Sequence, residues 1–255
     1  MNSQRPTPYP PIDNRRASAR LLGGGVLLAL ALSIVGWLIV RVPGLQAWIS
    51  GENTVNRWLA DHRTPQLNTY SHVGSLMSDT IACIALLAVM VIATRVWLGR
   101  WREPLALMAA IIGELLVFLV VTAVVQRDRP GVVHLDPAPP TSSFPSGHVA
   151  AAVALYGCIA VIVYREMRTR WLASLIVAGC VAIPLVVGAS RLYRGMHHPT
   201  DVLFGYIGGG LWLVIVVTTI LPLPRDHTGT SPSAARAEEP SEGDVSVSAS
   251  THRQA

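Results

Sequence analysis

Six stretches of the chain are almost continuously apolar, at 21–40, 74–94, 104–125, 146–164, 171–189 and 202–221, and short polar segments separate them. Each is about 20 residues long, the length a helix needs to cross a ~30 Å hydrocarbon layer. In lipid every backbone N–H and C=O has to be paired within the element, and for single apolar runs only the α-helix achieves this. The pattern therefore predicts an all-α polytopic membrane protein, a six-transmembrane-helix bundle. Residues 1–20 form a polar N-terminal segment, 21–224 the six-span domain, and 225–255, rich in Ser, Ala, Glu and Thr, a disordered tail with little to bury. The first run follows Arg15, Arg16 and Arg20 in the manner of a signal peptide. It is long for such a core and no small-x-small cleavage site follows, so it reads as a retained span. The segment from Arg41 to about Val73, with Trp48 and Trp58, reads as lying along the membrane interface.

Composition agrees with this picture. Of 255 residues 51% are hydrophobic and only 14% charged, well under the roughly one quarter charged in a soluble domain. The 20 basic residues are all arginine and give a net charge of +5. They are spread through the connecting segments rather than gathered on one face, which argues against nucleic acid as a partner. Counting arginines places both termini in the cytoplasm: Arg15, Arg16, Arg20, Arg95, Arg100, Arg102, Arg165, Arg168 and Arg170 fall on the N-terminal side of the membrane. The connections after the first, third and fifth runs then face outward. Cys83, Cys158 and Cys180 lie inside apolar runs, are odd in number and lack metal-type spacing, so they read as packing residues.

Three polar clusters fall at the outward ends of the runs. The first is Gln126-Arg127-Asp128-Arg129-Pro130, the second Phe144-Pro145-Ser146-Gly147-His148, and the third runs from Ser190 and Arg191 through Arg194, His197, His198 and Pro199 to Asp201. Ser146 is a favourable N-cap, and the first-turn amides beyond Gly147, with the helix dipole, form an anion site. His148 stands beside that site as a proton donor. His197 and Asp201 are four apart, a spacing at which a carboxylate can fix one imidazole nitrogen and leave the other free to attack. Arg127, Arg129 and Arg191 are candidate phosphate ligands, since a guanidinium fork matches phosphate oxygens.

Taken together, P-S-G-H and S-R-x5-H-x3-D preceded by R-P resemble the type 2 phosphatidic acid phosphatase superfamily, which includes lipid phosphate phosphatases and shares its site with vanadium haloperoxidases. The resemblance covers the third to sixth runs. It implies a metal-independent membrane phosphatase without a cofactor, acting on a lipid phosphate or polyprenyl diphosphate such as phosphatidic acid, phosphatidylglycerol phosphate or undecaprenyl diphosphate. It further implies phosphate held by Arg129, Arg191, Ser146 and Gly147, in-line attack by His197 oriented by Asp201, a phosphohistidine intermediate, and His148 as acid and then base. The family's lysine, six residues before Arg-Pro, is Thr122 here; Arg127 is the nearby charge available to replace it. Two other activities use the same residues: a lipid phosphotransferase, and a weakly active lipid-phosphate-binding protein, for which Thr122 is the support.

Other residues read more simply. Glu114, midway along the third run, is a costly carboxyl; Asp79 sits near the outer end of the second run; His134 and Asp136 read as solvated loop and His198 as loop structure. Gly208, Gly209 and Gly210 read as allowing close helix packing. Oligomeric state is not set by these features.

Overall fold

A computed structural model of the chain describes residues 12–138 and 140–222, apart from the side chains of Ala47 and Trp48, and among these residues the regular structure is entirely helical. The elements are α1 (Asn14–Arg41), α2 (Pro43–Ile49), α3 (Glu52–Asp61), α4 (Pro65–Leu76), α5 (Thr80–Leu98), α6 (Arg102–Val124), α7 (Gly147–Glu166), α8 (Arg170–Tyr193) and α9 (Pro199–Ile220). Six of them, α1 and α5 to α9, are long and apolar enough to span a bilayer. Their outer faces are bare hydrocarbon, with Ile81 78% and Val96 79% exposed. A water-soluble domain does not present such a surface over every long helix, whereas lipid chains cover it without cost. The segment Pro224–Ala255 and the tail expected there lie outside the described residues.

The second span begins later than the hydropathy pattern implies. Gly74, Ser75 and Leu76 belong to α4, the chain turns at Met77–Asp79, and α5 starts at Thr80 with the Asp79 carboxylate accepting from the Ile81 amide at 3.2 Å. Asp79 is thus a helix cap. The segment 43–76 is built of three helices, α2, α3 and α4; α3 and α4 pack against α8.

The central helix is α7, flanked by α6, α8 and α9. Small residues let α9 come close: a Cβ on Gly205 would stand 2.8 Å from the Ser146 carbonyl oxygen, and one on Gly209 2.7 Å from that of Ala150. Gly208 faces Leu32 of α1, while Gly210 faces open space and contributes no close contact, contrary to expectation. Cys83, Cys158 and Cys180 are buried and unpaired, as packing residues are. At one end of the bundle Arg100 bridges Glu103 and Glu166, each at 2.7 Å, tying α6 to α7. The opposite end carries the three polar clusters.

Candidate active site

The fold assembles this end from the close of α6, the start of α7, the close of α8 and the start of α9. The helix α8 runs on through Tyr193, so Arg191 sits in a regular last turn. Gly195 then adopts φ +74, a left-handed conformation that suits glycine. This turn carries the chain back within five residues, and Pro199 opens α9 at a position where its missing N–H costs nothing. The two motifs on α7 and α9 are joined directly, with the Ser146 amide donating to the Asp201 carbonyl at 2.9 Å.

His197 is buried in the turn. Its Nδ1 lies 2.8 Å from the Ser143 carbonyl oxygen. A carbonyl only accepts, so Nδ1 carries the proton and Nε2 of the neutral ring keeps its lone pair. The nearest Asp201 oxygen is 3.9 Å from Nδ1, beyond hydrogen-bond length. The expected His197–Asp201 hydrogen bond is therefore replaced by one to Ser143. The carboxylate is engaged elsewhere: Oδ2 accepts from the His198 amide at 2.8 Å and Oδ1 takes the guanidinium of Arg127. His198 is the N-cap residue of α9, in keeping with a structural role.

Burial, and then the positive charges of Arg191 and Arg129, hold the His197 imidazole well below its ordinary value of 6.5. Protonation would remove the Nε2 lone pair. The acid limb of a kcat/KM profile is accordingly expected below pH 6.5, with activity falling as pH drops through it. A limb at or above that value, measured with purified protein across pH 4–9, would contradict a buried neutral imidazole as the reacting group.

Arg129 and Arg191 both bear electrostatically on His197. Arg129 donates to the Met196 carbonyl at 2.7 Å, and Arg191 donates to Ser75 Oγ at 2.7 Å and to Asp136 at 2.8 Å. In each, Nε is buried without a hydrogen-bond partner among the described residues. Ser146 is at the N-cap of α7, yet its side chain caps nothing, and its fully buried Oγ is also unpartnered. The expected cap is absent. Gly147 is closely packed, since a Cβ there would meet the Phe118 ring at 2.8 Å. His148 follows in the first turn, its carbonyl accepting from Ser78 Oγ at 2.5 Å.

Two expectations are corrected. Arg127, expected as a phosphate ligand, has its guanidinium engaged by protein groups: it pairs with Glu52 at 2.7 Å, with Thr200 Oγ1 at 2.7 Å and with Asp201. Asp136 is no solvated loop residue. It is 17% exposed, forms ion pairs with Arg191 at 2.8 Å and Arg194 at 2.6 Å, and thereby anchors the 125–146 connection. Burial alone would raise its carboxyl, but hydrogen bonds from Arg194 and the charges of both arginines outweigh that and hold it below the carboxylate range. Thr122, at the lysine position, bonds back to the Phe118 carbonyl at 3.0 Å and supplies no cation. An open cleft of about 760 Å³ lies beside it, lined by Leu119, Ala123, Arg129 and Ser142 among others. Of the predicted site residues this cleft is lined by Arg127 and Arg129; His197, His148 and Arg191 do not line it. Among the described residues no three His, Cys, Asp or Glu side chains converge as a metal-binding group.

The PAP2 superfamily model matches residues 103–224. Undecaprenyl-diphosphatase BcrC of Bacillus subtilis (strain 168) is 30% identical over 158 residues, 58% of this chain and 74% of that protein. Phosphatidylglycerophosphatase B of the same organism is 38% identical over 77 residues, 29% of this chain and 37% of its own length. Among solved structures, the transmembrane PAP2-type phosphatidylglycerolphosphate phosphatase from Bacillus subtilis gives a TM-score of 0.66 at 24% identity, covering 75% of this chain and 93% of that one. Aquifex aeolicus LpxE gives 0.52 at 22% identity, covering 65% and 93%. These two establish the shared fold. Six spans and phosphatase relatives define a multi-pass membrane phosphoric ester hydrolase. The chain belongs to the PAP2 superfamily.

Proposed function

We propose that this protein hydrolyses a lipid phosphate, with undecaprenyl diphosphate and phosphatidylglycerol phosphate as the leading substrates, through a phosphohistidine on His197 and without a metal. The observation that carries the reading is the tautomer of His197: with Nδ1–H committed to the Ser143 carbonyl, Nε2 is the free nucleophile. At the same end of the bundle three buried donors have no partner among the described residues, Arg129 Nε, Arg191 Nε and Ser146 Oγ. Buried polar groups are ordinarily paired, and a tetrahedral oxyanion is the ligand that would take all three, with the Gly147 amide as a further donor.

In this reading the Nε2 lone pair attacks phosphorus, and the bond to the leaving oxygen breaks as His148 protonates that oxygen. The phosphorylated ring is cationic, with Nδ1–H still on Ser143, and the Asp201 carboxylate 3.9 Å away stabilises that charge. His148, now neutral, takes a proton from water as the water oxygen attacks phosphorus; the P–N bond breaks and its electrons return to Nε2. Fixed guanidinium groups stabilise the equatorial oxygens, the task metals perform in other phosphoryl-transfer sites. The arginine distribution supports a site on the outer face, where a lipid offers its headgroup while its chains remain in the bilayer. The names of the relatives support the two substrates.

The test is a substrate panel in detergent micelles containing EDTA: phosphatidic acid, phosphatidylglycerol phosphate and undecaprenyl diphosphate, scored by phosphate release. Turnover of one of the latter two, undiminished by EDTA, is expected. Right-side-out vesicles supplied with a soluble, impermeant phosphate ester of the same headgroup should show the activity without permeabilisation. Loss of activity in EDTA, restored by a divalent ion, would overturn the metal-free mechanism, and latency until permeabilisation would overturn the orientation.

A further inference from the structure

The helix α3 lies wholly outside residues 103–224, where the family pattern falls, yet it reaches the peptide that follows His197. Asn56 Nδ2 donates to the His197 carbonyl at 3.0 Å. The N–H of that same peptide unit, on His198, donates to Asp201 Oδ2 at 2.8 Å. Asp201 Oδ1 is held by Arg127, and Arg127 by Glu52 at 2.7 Å. Glu52 also accepts from the Thr200 amide at 2.6 Å and from its hydroxyl at 3.1 Å, in the first turn of α9. Both lines of bonds thus start from α3, at Glu52 and Asn56, four residues apart and on one helical face.

We infer that Glu52 and Asn56 are positioning residues of the active site: from α3 they clamp the His197–His198 peptide at its oxygen and its nitrogen and so aim the imidazole. The inference rests on His197 being the nucleophile. A peptide unit is planar, so bonds at both ends fix its rotation and with it the direction in which the His197 side chain leaves the backbone. The Ser143 contact at 2.8 Å then fixes the ring. Energetics favour a geometric role over a stabilising one. Arg127 and Glu52 are each 10% exposed and Asp201 0%, and buried ion networks recover little more than the cost of desolvating their charges. Asn56 is 1% exposed and its Oδ1 has no partner among the described residues, a cost that burial of an apolar side chain would avoid. What this arrangement supplies is a fixed backbone at the residue that reacts.

The experiment uses the full-length protein, purified in detergent, and a lipid phosphate that the wild type turns over. Glu52→Gln keeps the shape of the side chain but removes its charge; Asn56→Ala removes a neutral donor and leaves the ion network intact, so the two variants carry different folding risks. Each is expected to lower kcat about 10- to 100-fold, the scale on which misplacement by around 1 Å acts. KM should stay within about threefold, because the phosphate ligands are untouched. The double variant should lose no more than about the worse single one, since both act on one peptide unit. Arg57→Ala, on the same helix and, among the described residues, bonded to Thr54 at 3.4 Å, should match the wild type. Thermal unfolding of each variant gives the folded fraction, and kcat is expressed per folded molecule. Wild-type kcat per folded molecule in both α3 variants, or a change confined to KM, overturns the inference. If His197→Ala retains turnover, it is the nucleophile assignment that fails; if His197→Ala is inactive while both α3 variants turn over normally, only the role of α3 fails.

Discussion

Replacing His197 by alanine is expected to abolish phosphate release, with a loss of at least about 10⁴-fold in kcat, the scale seen when a covalent nucleophile is removed. The methyl group leaves no atom able to bond phosphorus, and water has no fixed place from which to attack in line. Substrate binding should survive, since Arg129, Arg191 and Ser146 are unchanged, so the variant is expected to retain the lipid with near-normal affinity. Acid-labile phosphate on the protein, trapped by rapid quench with a ³²P-labelled substrate, should be present in the wild type and absent in His197→Ala. Robust turnover by the variant would remove His197 from the mechanism, and the free Nε2 would then require another explanation.

Arg191→Ala is the second large effect, with a fall of roughly 10²- to 10³-fold in kcat, as when one preorganised donor to a developing anion is deleted. Arg191 is 4% exposed and is held from behind through Nη1 by Ser75 and Asp136, while its buried Nε has no hydrogen-bond partner among the described residues. Its orientation is therefore set before substrate arrives. Deleting it also leaves Asp136 with Arg194 alone, and uncovers a carboxylate beside the place where a phosphate would sit. Arg191→Lys should recover little, because a single ammonium cannot hold Ser75 and Asp136 and still present a second donor. Steady-state kinetics on both variants are the check. Wild-type kcat and KM in Arg191→Ala would exclude this residue from the cradle.

The six spans were legible because each is a run whose length and apolarity have one solution in lipid. The start of the second was misplaced, since Gly74, Leu76 and Met77 read as hydrocarbon although they close α4; the better signal was Asp79 ahead of Thr80 and Ile81, a cap followed by an apolar run. The three clusters could be read as one site because they fall at one end of the bundle. Their inner wiring could not. A spacing of four between His197 and Asp201 is compatible with a direct hydrogen bond, but only coordinates show the Ser143 carbonyl lying closer. Arg127 looked like a phosphate ligand because its partner Glu52 is 75 residues away in sequence. Asp136 looked solvated for the same reason, since Arg191 and Arg194 lie 55 and 58 positions further on. Glu52 and Asn56 carried no mark at all, as an acidic residue and an amide on a short helix are commonplace.

The connection between α8 and α9 has a consequence for how such an enzyme can diversify. Five residues, Arg194 to His198, join the two helices, and backbone bonds pin their ends. An insertion there would part His197 from Arg191, and under the proposed function this hairpin has no freedom to lengthen. The connection from Gln126 to Pro145 is far longer and borders the cleft at Arg129. Under the proposed function, new headgroup preferences can enter through it while His197 stays still, which makes that segment the rational place to randomise in a search for altered lipid selectivity.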